Sequence, residues 1–276
     1  MRKSARDDKY GYKKEHTASR IIRELPDNVV YGKNAVMEAL SAEREINKII
    51  ISKTNRSDTG IEQIKKLAHE KGVVFQFAGK DKFMQFAGLN HQGVIALISP
   101  IKYMELDGFI TLHKRNSSVV ILDGVEDARN MGAIIRVCVC AGIDGVIIPS
   151  RRSCLITPDV EKTSAGAVNH IDIIKVNSLS TAVKKLKDNG WWTIAANIGS
   201  EKNYYDIDYC GMNFAIIMGG EHSGISKTLL KMSDFRIKVP MLKEFNSLNV
   251  STALSVIIYE SVRQKLLKNE GIKHER

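Results

Sequence analysis

Three short polar stretches hold the residues of this chain best suited to chemistry. One is Asp127-Ala128-Arg129-Asn130, which opens a segment continuing to Arg136. The second is Met218-Gly219-Gly220-Glu221-His222-Ser223-Gly224. The third runs from Pro240 to Ser251 and sets Ser247, Leu248 and Asn249 directly before a long apolar segment. All three follow apolar strand-like runs, so they build one site if those strands end together in an α/β domain. Small polar residues at such junctions can cap helix N–H groups and still offer side chains to a ligand.

Each candidate also has a plain structural reading. Ser247 and Asn249 can be pure helix caps. The glycine loop can be an ordinary tight turn, or its glycines can supply positive φ and close backbone approach to a flat ligand. Arg136 lies in the otherwise apolar run Ala133–Val139, where a lone guanidinium must find an anion or reach solvent. It either pairs internally, with Asp127 or Glu221, or clamps a phosphate and activates a nucleophile. His222 is an acid–base group or a surface turn residue, and His170 has no evident partner.

Several classes are excluded or weakened. No G-x-G-x-x-G follows a strand and no G-x-x-x-x-G-K-[ST] occurs, which argues against a dinucleotide fold, an NAD-dependent redox enzyme and a P-loop ATPase. The seven histidines show no metal-ligand spacing, and the four cysteines, at 138, 140, 154 and 210, form no C-x-x-C pair, so no metal is expected. Cys138 and Cys140 point to different faces if they share a helix. Free thiols fit a reducing, cytoplasmic setting. No apolar stretch approaches the roughly 20 residues of a membrane span, and the basic N-terminus lacks the apolar run of a secretory signal. The net charge of +10 fits a polyanionic partner, nucleic acid first.

The elements that must position these loops fall into two units. Residues 1–27 form a basic tail, with eight Lys or Arg against four Asp or Glu in the first 24 positions, able to stay disordered or to touch phosphates. Residues 28–99 form a small α/β unit: helices over 34–40, 60–71 and 80–86, strands over 46–51, 73–77 and 94–98. Residues 100–117 hold the linker. Residues 118–276 alternate strands (119–122, 146–149, 171–176, 193–195, 214–218, 237–239) with helices (130–141, 158–166, 179–189, 225–231, 248–267). That alternation implies a mostly parallel sheet covered on both faces.

The motifs together resemble the SpoU/TrmH-type RNA ribose 2′-O-methyltransferases of the SPOUT class. The resemblance rests on Asp127 to Arg136 with Ala141-Gly142, on Ile217 to Glu221 with Gly224, on Val239-Pro240-Met241 followed by Ser247 to Ser251, and on Lys162-Thr163-Ser164-Ala165-Gly166-Ala167. Tyr31 to Val36 and His91 to Val94 resemble the small ribosomal-protein-like domain that precedes the catalytic domain in the ribosomal RNA branch. The resemblance covers nearly everything from residue 29 onward. Two positions depart from the pattern: His222 and Lys243 stand where family members often have glycine.

The resemblance implies an α/β protein with a deep trefoil knot, S-adenosyl-L-methionine held in that knot, and a homodimer whose sites draw on both subunits. It implies methyl transfer to a ribose 2′-hydroxyl, most readily of 23S (large-subunit) ribosomal RNA. A transfer RNA, or an antibiotic-resistance adenosine of the same ribosomal RNA, is the alternative target, and a non-catalytic ribosome-assembly binder is the alternative function. Arg136 is then the electrostatic activator, because an arginine of pKa above about 12 is a poor base. Asn130, Glu221, Ser247 and Asn249 orient it, the ribose and the cofactor. Main-chain groups near Gly219, Gly220, Val239 and Leu248, with Met218 and Met241 beside them, hold the cofactor. Lys33, Lys53, Arg56 and Lys65 of the first domain are candidate RNA phosphate contacts, or else solvated charges. Nothing in this chemistry calls for a metal, and no membrane is involved.

Overall fold

The apolar runs sort into two separate sheets. The structure, a computed structural model, describes residues 29–274 except 43–44, 57, 85, 87, 100, 222 and 244–246. The tail expected over 1–27 and His222 therefore lie outside the described residues.

The first unit comprises β1 (Val29–Tyr31), α1 (Lys33–Ser41), β2 (Ile46–Ser52), α2 (Thr59–Glu70), β3 (Phe75–Ala78), α3 (Lys80–Met84) and β4 (Val94–Ile98). Its sheet has the order β1-β4-β2-β3, with β4 antiparallel to both neighbours and β3 parallel to β2. Alternation along β2 and β4 sends Ile49, Ile51, Val94 and Ala96 towards α1 and α2, and Ile50 and Ile95 to the opposite face. Helix α2 starts where the Asp58 carboxylate accepts hydrogen bonds from the N–H groups of Gly60 and Ile61, and it buries Ile61, Ile64 and Ala68.

The second unit comprises α4 (Leu106–Leu112), β5 (Ser118–Asp123), α5 (Ala128–Cys140), β6 (Gly145–Pro149), α6 (Pro158–Thr163), β7 (Asp172–Val176), α7 (Leu179–Asp188), β8 (Trp191–Ala196), β9 (Lys202–Asn203), β10 (Asn213–Gly219), α8 (Lys227–Met232), β11 (Phe235–Lys238) and α9 (Val250–His274). The order is β7-β6-β5-β10-β8-β11-β9, and neighbouring strands are parallel throughout. Val120 and Leu122 of β5 face a core under α5, α6 and α9, while Val119 and Ile121 face a second core under α4 and α7. A sheet buried on both faces explains why these strands read as unbroken apolar runs.

Part of the segment expected as the linker is folded onto this unit. Leu106 and Phe109 of α4 are buried against β5, β6 and β7, and Met104 bridges to Ile174. A seven-residue helix shows too few turns for its period to be legible in sequence. Among the described residues, no helix is long and apolar enough to cross a membrane. Cys138 is buried and Cys140 exposed, as their spacing predicts.

Strand order sets where a site can form. The chain runs outward from β5 to β6 and β7, crosses to β8, then returns to insert β10 between β5 and β8. The C-terminal ends of β5, β10, β8 and β11 thus meet where the winding direction reverses, the usual position of a ligand crevice in such sheets.

Candidate functional site

The turn after β10 is built against the turn after β5. Gly220 donates its N–H to the Asp123 carbonyl at 2.8 Å, and Gly224 donates to the Gly220 carbonyl at 2.9 Å. The Asp123 carboxylate accepts the N–H of Ser226 at 2.8 Å, just ahead of α8. A Cβ on Gly220 would sit 2.0 Å from the Gly124 oxygen, and one on Gly219 2.2 Å from the Gly224 carbonyl carbon. The two glycines thus serve backbone-to-backbone packing within a tight turn, and positive φ falls on Gly124 and Gly224 instead. Close approach to a flat ligand is not what their size is needed for.

Three of the expected side chains touch. The Asn130 and Asn249 side-chain amides each donate to Glu221 Oε1 at 2.9 Å, and Asn249 also donates to Asn130 Oδ1 at 2.9 Å. Local structure positions each partner. Asp127 caps α5 by accepting the N–H groups of Arg129 and Asn130, which places Asn130 in the first turn. Asn249 caps α9, its Oδ1 accepting the Ser251 N–H at 3.0 Å and the Ser251 hydroxyl at 2.6 Å. One amide thus both caps a helix and joins the cluster, so the two readings of Asn249 hold together. Asn249→Ala is expected to cost about 1 kcal/mol of unfolding free energy, whereas Asn249→Ser, which keeps a capping oxygen, is nearly neutral. Equal losses in urea titrations of the two variants would refute the capping role.

Glu221 lines two clefts at once, and Asn130 lines the second of them. The first holds about 800 Å³ of space between atoms, its open mouth to solvent included. Apolar side chains of Met218, Ile237, Val239, Met241, Leu248 and Ile257 line it, along with Gly219, Gly220 and Ser247. Among the described residues, the main-chain N–H groups of Ile198, Met241 and Leu248 on its wall form no hydrogen bond. Apolar walls with spare main-chain donors suit a flat heterocycle and its ribose. The second cleft is polar, lined by Asp123, Glu126, Asp127, Asn130, Arg152 and Ser223, and shares Gly220, Glu221, Gly224 and Val250 with the first.

Arg136 stands apart from this cluster. It is exposed and, among the described residues, forms no ion pair or hydrogen bond, so the internal pair with Asp127 or Glu221 is not made. Six positions beyond Asn130 on α5 it lies about 9 Å along the axis and about 240° around it. Ser247, Leu248 and Lys243 are exposed at the mouth of the third loop, whose residues 244–246 are outside the description.

Lys33, Lys53, Arg56 and Lys65 gather around the connection between β2 and α2. The Arg56 guanidinium lies 4.4 Å over the Phe77 ring, and Lys65 Nζ is 5.8 Å from the same ring. Lys33 pairs with Asp58 at 2.6 Å and Lys65 with Glu62 at 2.7 Å. Lys53 and Arg56 are exposed with no carboxylate partner among the described residues. Reading the sequence missed Asn197, at the end of β8, and Arg152, held at φ 57° beside the second cleft. Both follow a strand end, the signal that marked the other loops. His170 does have a partner: its Nε2 is 3.0 Å from Glu38 Oε2 of the first unit.

Comparison with known proteins places both units. The SpoU rRNA Methylase family matches residues 117–259, and the RNA 2′-O ribose methyltransferase substrate-binding family matches residues 29–104. A Staphylococcus saprophyticus protein named "Putative TrmH family tRNA/rRNA methyltransferase" is 39% identical over 244 residues, covering 87% of this chain and 97% of that one. The fold is shared with the SpoU methyltransferase AviRb of Streptomyces viridochromogenes, with a TM-score of 0.74, 18% identity, and coverage of 87% and 90% of the two chains. It is shared too with an AdoMet-bound rRNA methyltransferase of Sinorhizobium meliloti, with a TM-score of 0.71, 22% identity, and coverage of 85% and 86%.

Proposed function

This chain belongs to the SpoU rRNA methylase family, and from that premise we propose that it transfers the methyl group of S-adenosyl-L-methionine to a ribose 2′-hydroxyl of 23S ribosomal RNA. The observation that carries this reading is the Asn130–Glu221–Asn249 cluster, whose Glu221 is shared by an apolar cleft and a polar one. Bound in the apolar cleft, the cofactor supplies an electrophilic methyl group on a good leaving group. Met218, Val239, Met241 and Leu248 enclose it, and main-chain groups near Gly219, Gly220 and Leu248 hold its polar edges.

The protein's remaining task is to align a weak nucleophile and to offset negative charge as it develops on oxygen. The two amides fix the Glu221 carboxylate at the boundary of the clefts, and Ser247 offers a hydroxyl from the opposite lip. Arg136 supplies the positive charge beside the 2′-oxygen and the adjoining phosphate, and the proton leaves to phosphate or water. Its exposure and its distance from Asn130 along α5 support a homodimer in which Arg136 serves the site from the subunit boundary. Membership of the family supports the deep trefoil knot. In the first unit, Lys53 and Arg56, then Lys33 and Lys65, contact RNA phosphates.

The test is transfer of radiolabelled methyl to unmodified 23S ribosomal RNA and, separately, to transfer RNA, with mapping of the product nucleotide. A 2′-O-methyl mark on one ribosomal nucleotide is expected. Transfer to tRNA alone would move the substrate, and no transfer despite cofactor binding would overturn the catalytic reading.

A further inference from the structure

The phrase Lys162 to Ala167 lines neither cleft, yet it contacts both units. Lys162 Nζ donates to the main-chain oxygen of Asn90 at 2.6 Å and lies 4.5 Å over the Tyr31 ring. The Tyr31 hydroxyl donates to Asp159 one turn earlier on α6. Tyr31 is only 3% exposed, so this contact belongs to the buried side of the seam between the units. A second anchor lies beyond α6: His170 meets Glu38, and a Cβ on Gly166 would sit 2.3 Å from Glu38 Cβ.

The same helix abuts the candidate site. Thr163 Oγ1 shares its proton between the Asp159 carbonyl of its own helix at 2.8 Å and the Ala128 carbonyl at 3.1 Å, two residues before Asn130. A Cβ on Gly132 would sit 2.0 Å from Thr163 Oγ1, so α5 and α6 touch nearly backbone to backbone. On the other side, Gln92, two residues from Asn90, accepts the Lys33 N–H at 2.9 Å, which ties the seam to the basic end of the first unit. Contacts joined by short stretches of chain therefore run from Lys33, through Gln92 to Asn90 and Lys162 to Thr163, to the first turn of α5.

We propose that Lys162, with Tyr31 and Asp159, is a positioning group that holds the RNA-binding unit at one spacing from the Asn130–Glu221 clefts and so selects which nucleotide is methylated. This rests on the reading of the two units as RNA-binding and methyl-transferring. RNA engaged on the first unit presents its target at a fixed reach, and misplacement of that target by about 1 Å is enough to cost about 100-fold in rate. A seam serving stability alone would leave target choice unaltered once the protein is folded.

The test compares wild type with Lys162→Met, which keeps side-chain length but loses the ammonium, and Lys162→Arg, which keeps both the donor and the cation over Tyr31. Methyl transfer to 23S ribosomal RNA is mapped, with cofactor and RNA dissociation constants measured alongside. The expected result for Lys162→Met is a kcat lowered about 10- to 100-fold or marks spread to neighbouring nucleotides, with both dissociation constants unchanged. Lys162→Arg regains the rate and the single mark. An unchanged kcat and map in Lys162→Met overturns the proposal, as does a fall that tracks lost cofactor affinity or a lowered Tm. A wild type that methylates no RNA instead overturns the functional reading beneath it.

Discussion

Replacing Arg136 by alanine is expected to lower kcat for methyl transfer about 10²- to 10³-fold, the effect of removing one charge-stabilising donor from a reacting oxygen. Cofactor affinity is expected to stay within about a factor of two, because the side chain is outside the apolar cleft. The fold tolerates the change: Arg136 is exposed, while Ile134, Ile135 and Cys138 of the same helix carry the packing. Single-turnover kinetics with bound cofactor separates the chemical step from RNA binding. Wild-type turnover in Arg136→Ala would remove the arginine from the mechanism. Mixing Arg136→Ala chains with Glu221→Gln chains tests the dimer. Regained activity is expected if one site draws on both subunits, and none if each chain works alone.

Gly220→Ala is expected to be strongly destabilising. Its Cβ would meet the Gly124 oxygen at 2.0 Å and the Gly124 carbonyl carbon at 2.7 Å. These are backbone atoms, fixed by the hydrogen bond from the Gly220 N–H to the Asp123 carbonyl, so no side chain can swing aside. Overpacking typically costs about 1–3 kcal/mol, and a clash between two turns with no free side places this variant at or above the upper end. Gly142→Ala is the control: φ is +69° there, but open space surrounds the added methyl, so only backbone strain of about 1 kcal/mol applies. Urea unfolding of both variants decides the matter, and equal stabilities would refute the contact account.

Most elements of the second unit were legible because each carries a local signature. Val119–Leu122 and Phe214–Met218 are doubly buried apolar runs, and α7 shows the 3.6-residue period in Leu179, Ala182, Val183 and Leu186. Strand β1 and helix α4 were not legible. Three residues, or two turns, carry no period, and both are held by distant partners: β1 by β4, and α4 by the sheet. The purpose of Gly220 was equally hidden, since the atoms that exclude a side chain there belong to Gly124, in a turn nearly 100 residues away.

By itself the sequence determined which residue types follow the strands: an amide at 130, a carboxylate at 221 and an amide at 249, with a lone guanidinium at 136 in the helix beyond the first. Capping chemistry and apolar periodicity are local, so they survive in one dimension. Only the tertiary structure decided that β10 enters between β5 and β8, which brings Asn130, Glu221 and Asn249 within hydrogen-bonding distance. Only it placed Arg136 outside that cluster and His170 against Glu38. Strand order and the seam between units arise from burial and shape complementarity among segments far apart in the chain, and no local pattern encodes them.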